Sequence, residues 1–168
     1  MNTAWHFATI AFQPYPDVGE FVNVGALAVA IPDRLLAYRL LPAKGTARIH
    51  AFFPELDPAI YMEGRHRLEA ELERLEETVN HTLDMNLNRH RIPAGQPPLP
   101  GFAGEAELLF KSLTAPRDGL FRFHAKGVRL APSKEKLLDA VFNRYVVRAA
   151  AGPNNEEEML STASALSG

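Results

Sequence analysis

The stretch Asp17-Val-Gly-Glu-Phe-Val-Asn-Val-Gly25, continuing as Ala-Leu-Ala-Val-Ala-Ile31, decides the first half of the fold. Prolines and Gly19 predict a turn at its start, and the valines that follow predict a strand. Strict alternation places Phe21, Asn23, Gly25, Leu27 and Val29 on one face of that strand, and Val22, Val24, Ala26 and Ala28 on the other. Asn23 then lies on an otherwise apolar face, where its amide needs hydrogen-bond partners. Bracing the opening turn and belonging to a functional site are the two interpretations of this asparagine.

Two further strands flank this stretch. Residues 4–13 alternate as a first strand and residues 34–41 as a third, and the short connections predict an antiparallel meander. A later strand, or a hairpin broken at Lys126-Gly127, covers residues 120–130. Helices are predicted over residues 44–53, 58–84, 104–113 and 134–148. The fold class is therefore α+β, an antiparallel sheet of about four or five strands with helices packed mainly on one face.

The 168 residues are enough for one domain with a sizeable core. We place this α+β domain at residues 1–149 and a flexible acidic tail at 150–168. Residues 85–103 contain four prolines between 93 and 100 and show no periodicity, so they are predicted to form a long surface loop.

Composition narrows the classes of function. The chain has no cysteine, which excludes disulfides, thiolate zinc sites and cysteine nucleophiles. Its histidines lack the spacing of a zinc enzyme, and no glycine-rich phosphate loop is present. We therefore expect no metal and no cofactor. The N-terminus does not resemble a signal peptide, and no apolar run approaches the roughly 20 residues that span a bilayer. The expected location is the cytoplasm, with no membrane partner.

Charge is distributed unevenly along the chain. Residues 57–84 hold eight acids and three bases, a net charge of −5, and residues 117–148 hold eight bases and three acids, a net charge of +5. Such asymmetry indicates either a surface that binds an anionic partner, or two segments that neutralise each other within the chain or across a dimer. The candidate basic face consists of Arg122, Lys126, Arg129, Arg144 and Arg148.

Carboxylates near the opening turn suggest a second kind of site. Asp17 and Glu20 are three residues apart across a turn, a spacing that would let both bind one Mg²⁺. The structural alternative is that Asp17 bonds nearby amides while Glu20 pairs with Arg39 or Arg117. The candidate polar cluster at the opening turn comprises Asp17, Glu20, Asn23, Arg39, Arg117 and Asp118.

Four sequence blocks, in this order, resemble a known family. They are Phe12-Gln-Pro-Tyr-Pro-Asp-Val-Gly-Glu-Phe-Val-Asn-Val-Gly25, Ala51-Phe-Phe-Pro-Glu-Leu-Asp57, Ser112-Leu-Thr-Ala-Pro-Arg-Asp-Gly119 and Phe142-Asn-Arg-Tyr-Val146. Together they resemble the bacterial and phage family known as domain of unknown function 3037, over about residues 5–147. The resemblance implies no established activity. It implies a setting beside HipA-like kinase proteins, and hence a regulatory or toxin–antitoxin context.

Two hypotheses for the function follow. The first is a non-catalytic binding or regulatory module that acts on a partner protein, because no set of side chains composes a nucleophile, a base and an orienting group. The alternative is a Mg²⁺-dependent phosphoester or nucleic-acid-processing enzyme, which would use Asp17 and Glu20 with the basic segment 117–148. Nucleic acid and a second copy of the chain remain open as partners.

Overall fold

The structure, a computed structural model, describes residues 2–30, 35–44, 46–89, 102–116 and 119–147. Its elements in chain order are β1 (Thr3–Tyr15), β2 (Glu20–Ala30), β3 (Leu35–Leu40), α1 (Ala47–Phe52), α2 (Pro58–Arg89), α3 (Phe102–Thr114), β4 (Phe121–Ala131) and α4 (Lys134–Phe142). A single π-helical turn, Asn143–Val147, follows α4 directly, and we call it the π turn. The predicted tail at 150–168 lies outside the described residues.

The four strands form one sheet in the order β3-β2-β1-β4, and every neighbouring pair is antiparallel. The α+β class, the N-terminal meander and the later strand are therefore confirmed. Residues 121–131 form one strand and not a hairpin. Phe7 pairs with Gly127 and Ala8 with Ala125, so Lys126 is the additional residue of a β-bulge. The glycine that suggested a turn has a φ of 145° and belongs to this bulge.

Two helices differ in extent from their prediction. The long helix α2 continues to Arg89, so the first five residues of the predicted 85–103 loop are helical, and residues 90–101 are not described. The last helix was predicted to run to residue 148, but α4 ends at Phe142 and gives way to the π turn. Such turns are rare and often occur at functional sites.

The first face of the sheet carries the larger core. Ile10 and Phe12 from β1 and Leu27 from β2 are fully buried there against Tyr61 and Leu72 of α2. Phe12 lies at the centre of an aromatic group, with its ring centroid 5.0 Å from that of Tyr61, 5.5 Å from Phe121 and 5.9 Å from Phe53. Helices α1, α2 and α3 all contribute to this cluster, which confirms that the helices pack mainly on one face.

The second face is packed differently, by small side chains under a single short helix. Leu137, Leu138 and Val141 of α4 pack in one cluster with Trp5 and Phe7 of β1. The sheet residues beneath them are mostly alanines: Ala26, Ala28, Ala30, Ala37 and Ala131. Small residues facing large ones allow the helix to pack closely.

A β-bulge in β2 makes one part of the alternation wrong. Ile10 pairs with Gly25 and Ala11 with Asn23, so β2 contains one additional residue, Val24. The extra residue reverses the alternation, and Val22 and Val24 therefore share the first face with Leu27 and Val29. Asn23 lies on the opposite, second face and not beside Leu27 and Val29 as strict alternation predicts. A one-residue shift in a strand moves every later side chain to the other face.

Candidate functional site

The opening turn between β1 and β2 presents its carboxylates to solvent. Gly19 has a φ of 79°, the left-handed conformation that the turn requires. Asp17 and Glu20 are both exposed, and neither side chain forms a hydrogen bond or ion pair within the described residues. That described part also contains no group of three or more histidines and carboxylates that could hold a metal ion.

Arg39 does not belong to a cluster at the opening turn. It lies opposite Ala26 on β3 and forms an ion pair with Asp139 of α4. Of the two arginines considered as partners of Glu20, Arg39 is thus paired elsewhere. Arg117 and Asp118, the other proposed members, lie outside the described residues.

Asn23 braces the end of the last helix and not the opening turn. Its side-chain amide donates to the main-chain carbonyl of Tyr145 in the π turn, at 3.1 Å. Arg48 of α1 donates through Nη1 to the next carbonyl, that of Val146. The last carbonyls of a helix have no partner within the helix, so side chains from elsewhere can satisfy them. These two bonds join three distant segments at one point.

Gly25 has a separate structural role beside the bulge. A Cβ atom placed there would lie 2.5 Å from the main-chain oxygen of Arg39 and 2.8 Å from a methyl carbon of Leu40. Distances this short require a glycine at the close approach of β2 and β3. The Gly-Glu-Phe-Val-Asn-Val-Gly block is thus explained by its turn, its bulge and its bond to the π turn.

Basic side chains are concentrated on the second face at its β4 edge. Arg122 lies opposite Ala11 and His124 opposite Thr9, while Arg129 lies opposite Trp5. These β1 residues face away from the first core, so their β4 partners do as well. Lys126 and Arg144 converge on the ring of Tyr145, at 5.7 and 5.8 Å from its centroid. We define the basic surface as Arg122, His124, Lys126, Arg129 and Arg144.

The basic surface brings together four residues of the candidate basic face: Arg122, Lys126, Arg129 and Arg144. Arg148, the fifth, lies outside the described residues. The candidate basic face predicted from the sequence did not include His124, and it did not include Tyr145, the ring on which two cations meet. The i, i+2 spacing of Arg122 and His124 on one strand was the available signal for that histidine.

No carboxylate neutralises the basic surface within the part of the chain that the structure describes. The four ion pairs there are Arg39–Asp139, Arg65–Glu69, Arg74–Glu71 and Lys111–Glu107. The acidic helix α2 packs on the first face, and its two ion pairs stay within the helix. The described segments of opposite charge therefore lie on opposite faces of the sheet and do not pair with each other.

The pKa of His124 reflects the positive charge of the basic surface. Burial lowers its pKa below the ordinary value, and the positive charges of Arg122 and Lys126 lower it further. The ring also packs edge-on against Phe21, with centroids 5.0 Å apart, and Phe21 remains 45% exposed. The surface thus combines unpaired positive charge with an accessible aromatic ring, a composition suited to binding anionic polypeptide or nucleic acid.

Fold and site together define an α+β protein with a basic surface at the edge of a four-stranded antiparallel sheet. Residues 7–146 match the model of the family described as a protein of unknown function, DUF3037, and the chain belongs to that family. The expected family membership is thus confirmed. No curated protein and no solved structure matches the chain. Among the described helices, none is both long and apolar enough to cross a membrane.

Proposed function

We propose that this chain is a non-catalytic binding module that recognises an acidic segment of a partner protein through the basic surface. One observation carries the proposal: five basic side chains gather on one face without a carboxylate partner in the described residues. Complementary charge steers association and selects partners.

The position of the acidic helix supports a different molecule as the partner. In a two-fold dimer the same patch of each copy meets itself, so the two basic surfaces would face each other. Docking α2 of one copy on the basic surface of another would use two faces on opposite sides of the sheet, a head-to-tail contact that builds a ring or an open chain of molecules and not a closed dimer. A separate acidic protein meets neither difficulty.

The proposed role is regulatory, because the residues of the surface do not compose a catalytic set. Thr9 lies opposite His124 and carries a hydroxyl, but His124 has no carboxylate to orient it among its described contacts, so a nucleophile, a base and an orienting group are not all present. The kinase setting implied by the family resemblance makes a HipA-like kinase the first full-length partner to test.

The test is a titration of labelled oligo-glutamate against the purified chain, at low and at near-physiological salt. Lys126→Glu with Arg144→Glu should weaken binding at least about tenfold. Lys134→Glu with Lys136→Glu is the matched control: it makes the same change in net charge at exposed positions near the start of α4, and should leave binding nearly unchanged. Melting temperatures of both variants check that the fold is retained.

The same titration with duplex and single-stranded DNA tests the alternative function. Nucleic-acid binding that exceeds peptide binding, falls steeply with salt and disappears in the Lys126→Glu, Arg144→Glu variant would favour the enzyme of phosphoester chemistry. Glu20→Gln would then be expected to abolish activity without lowering the melting temperature. Equal losses in the variant and its matched control would show that only net charge matters, and would overturn the proposed function.

A further inference from the structure

The outer edge of β4 is open within the described residues. β4 is the terminal strand of the sheet, and no described strand pairs with its far side. Residues 125–130 are all exposed, including Val128 at 56% and Leu130 at 64%. An unpaired edge offers a row of main-chain donors and acceptors to another extended chain.

This edge has two chemically different faces. Val128 lies opposite His6 and Leu130 opposite Ala4, so both apolar side chains are on the first face. Arg129 lies between them on the second face, and Lys126 is stacked on Tyr145 on that same side. Successive residues of an added strand would therefore meet an apolar neighbour and a basic neighbour in turn.

We propose that the acidic partner segment binds as an additional β-strand along residues 127–131, with alternating acidic and apolar side chains. The acidic residues would lie beside Arg129 on the second face, and the apolar residues beside Val128 and Leu130 on the first face. Main-chain hydrogen bonds would supply affinity and the alternation would supply specificity, as in other cases of strand addition. This inference rests on the proposed function, since it specifies how the acidic segment binds.

A second copy of β4 is a poorer occupant of this edge. Two-fold antiparallel pairing continues the second face of one copy into the second face of the other. Arg129 and Lys126 of one copy would then lie near the same residues of its partner, and like charges on adjacent strands are destabilising. The bulge at Lys126 also interrupts regular pairing, which confines an added strand to the residues after it.

The test compares labelled peptides of about nine residues, a typical strand length. One alternates glutamate and valine; the second has the same composition with its glutamates together; the third repeats the alternating sequence with every second amide N-methylated. The alternating peptide should bind at least about tenfold more tightly than either of the others. On binding, main-chain amides within residues 127–131 should become protected from hydrogen exchange.

A pair of variants isolates the apolar side of the edge. Val128→Ser with Leu130→Ser should weaken binding of the alternating peptide and leave oligo-glutamate binding unchanged. Val18→Ser is the control, because Val18 is a 62% exposed valine at the opening turn and lies outside residues 127–131. A loss of oligo-glutamate binding in the Val128→Ser, Leu130→Ser variant would contradict separate roles for the two faces.

The outcomes separate this inference from the function on which it rests. Equal binding of all three peptides, lost in the Lys126→Glu, Arg144→Glu variant, would overturn strand addition and leave the acidic-partner function standing. Binding that depends on alternation and free amides but not on those basic residues would support strand addition and overturn acidic recognition. Absence of binding by oligo-glutamate and by every peptide would overturn both.

Discussion

The two faces of the sheet are built on opposite principles. The first face is covered by three helices and filled with large side chains, such as Phe12 and Leu27, that are fully buried. The second face is covered by α4 and the π turn over a layer of alanines, and its far end carries arginine, histidine and lysine. Stability is therefore concentrated on the first face, and the second face leaves charged side chains available for binding.

On the second face, one residue of the β2 block connects the packed part of the sheet to the basic surface. Asn23 satisfies a carbonyl of the π turn, and the π turn presents Tyr145 and Arg144 next to Lys126. Asn23, which belongs to the first block that resembles the family, thus holds in place the segment that completes the basic surface. One hydrogen bond thus couples Asn23 of the β2 block to the half-buried Tyr145 of the last block.

The difference in stability between the two faces is tested most directly by replacing one phenylalanine with alanine on each face. Phe12→Ala removes a fully buried ring from the aromatic cluster, and should cost about 3–5 kcal/mol of unfolding free energy. Phe21→Ala removes a half-exposed ring on the second face, and should cost about 1 kcal/mol or less. Urea denaturation of both variants measures the difference. Equal losses would show that the second face contributes as much to stability as the first.

The bond between β2 and the π turn should contribute less than the core. Asn23→Leu leaves the carbonyl of Tyr145 without its side-chain donor and should cost about 1–3 kcal/mol. It should also weaken oligo-glutamate binding, because the π turn positions Arg144. An unchanged melting temperature would count against the bracing role, and unchanged peptide binding would count against the coupling.

The ion pair of Arg39 with Asp139 should have a smaller effect. Both side chains are substantially exposed, at 36% and 61%, and exposed pairs contribute about 0–1 kcal/mol. A double-mutant cycle with Arg39→Ala and Asp139→Ala measures the coupling energy directly. A coupling well above this range would mean that α4 depends on the ion pair and not only on its contacts with the alanine layer.

The smallest expected effect is a pH dependence from His124. Its folded-state pKa is lowered by burial and by Arg122 and Lys126, so the folded state favours the neutral ring. This shift adds to the free energy of unfolding. The added stability is fully present above the unfolded-state pKa of about 6.5 and is lost as the pH falls through the lower folded-state pKa. His124→Gln should therefore reduce the loss of stability on acidification. His66→Gln, at an exposed position on α2, is the control, and this variant should lose as much stability on acidification as the unsubstituted protein.

Much of the fold could be predicted because local patterns and tertiary structure agree. Valine-rich alternation marked β2, and the glycine and proline turns marked the meander. The faces of β2 could not be predicted, since Val24 gives no local signal that it will form a bulge. Similarly, Lys126-Gly127 suggested a turn, yet pairing with β1 keeps the strand continuous and absorbs one residue as a bulge.

The candidate sites show the same limit. The bases of β4 were recognisable from composition, but their convergence with Arg144 on Tyr145 depends on where α4 packs. Arg39 was assigned to the opening turn because its charge suited Glu20. In the structure it pairs with Asp139, which is one hundred residues away in the chain. Charge indicates that a partner is needed, and only packing selects which one.

The sequence by itself determined the α+β class, the meander, the family and the segregation of charge between residues 57–84 and 117–148. The class, the meander and the charge segregation follow from local composition and periodicity, which act over a few residues, and the family follows from the resemblance of four ordered sequence blocks. The tertiary structure alone decided which face each side chain occupies, and it brought Asn23 to Tyr145 across 122 positions. Bulges and helix packing depend on the summed contacts of distant segments, and no local pattern contains that sum.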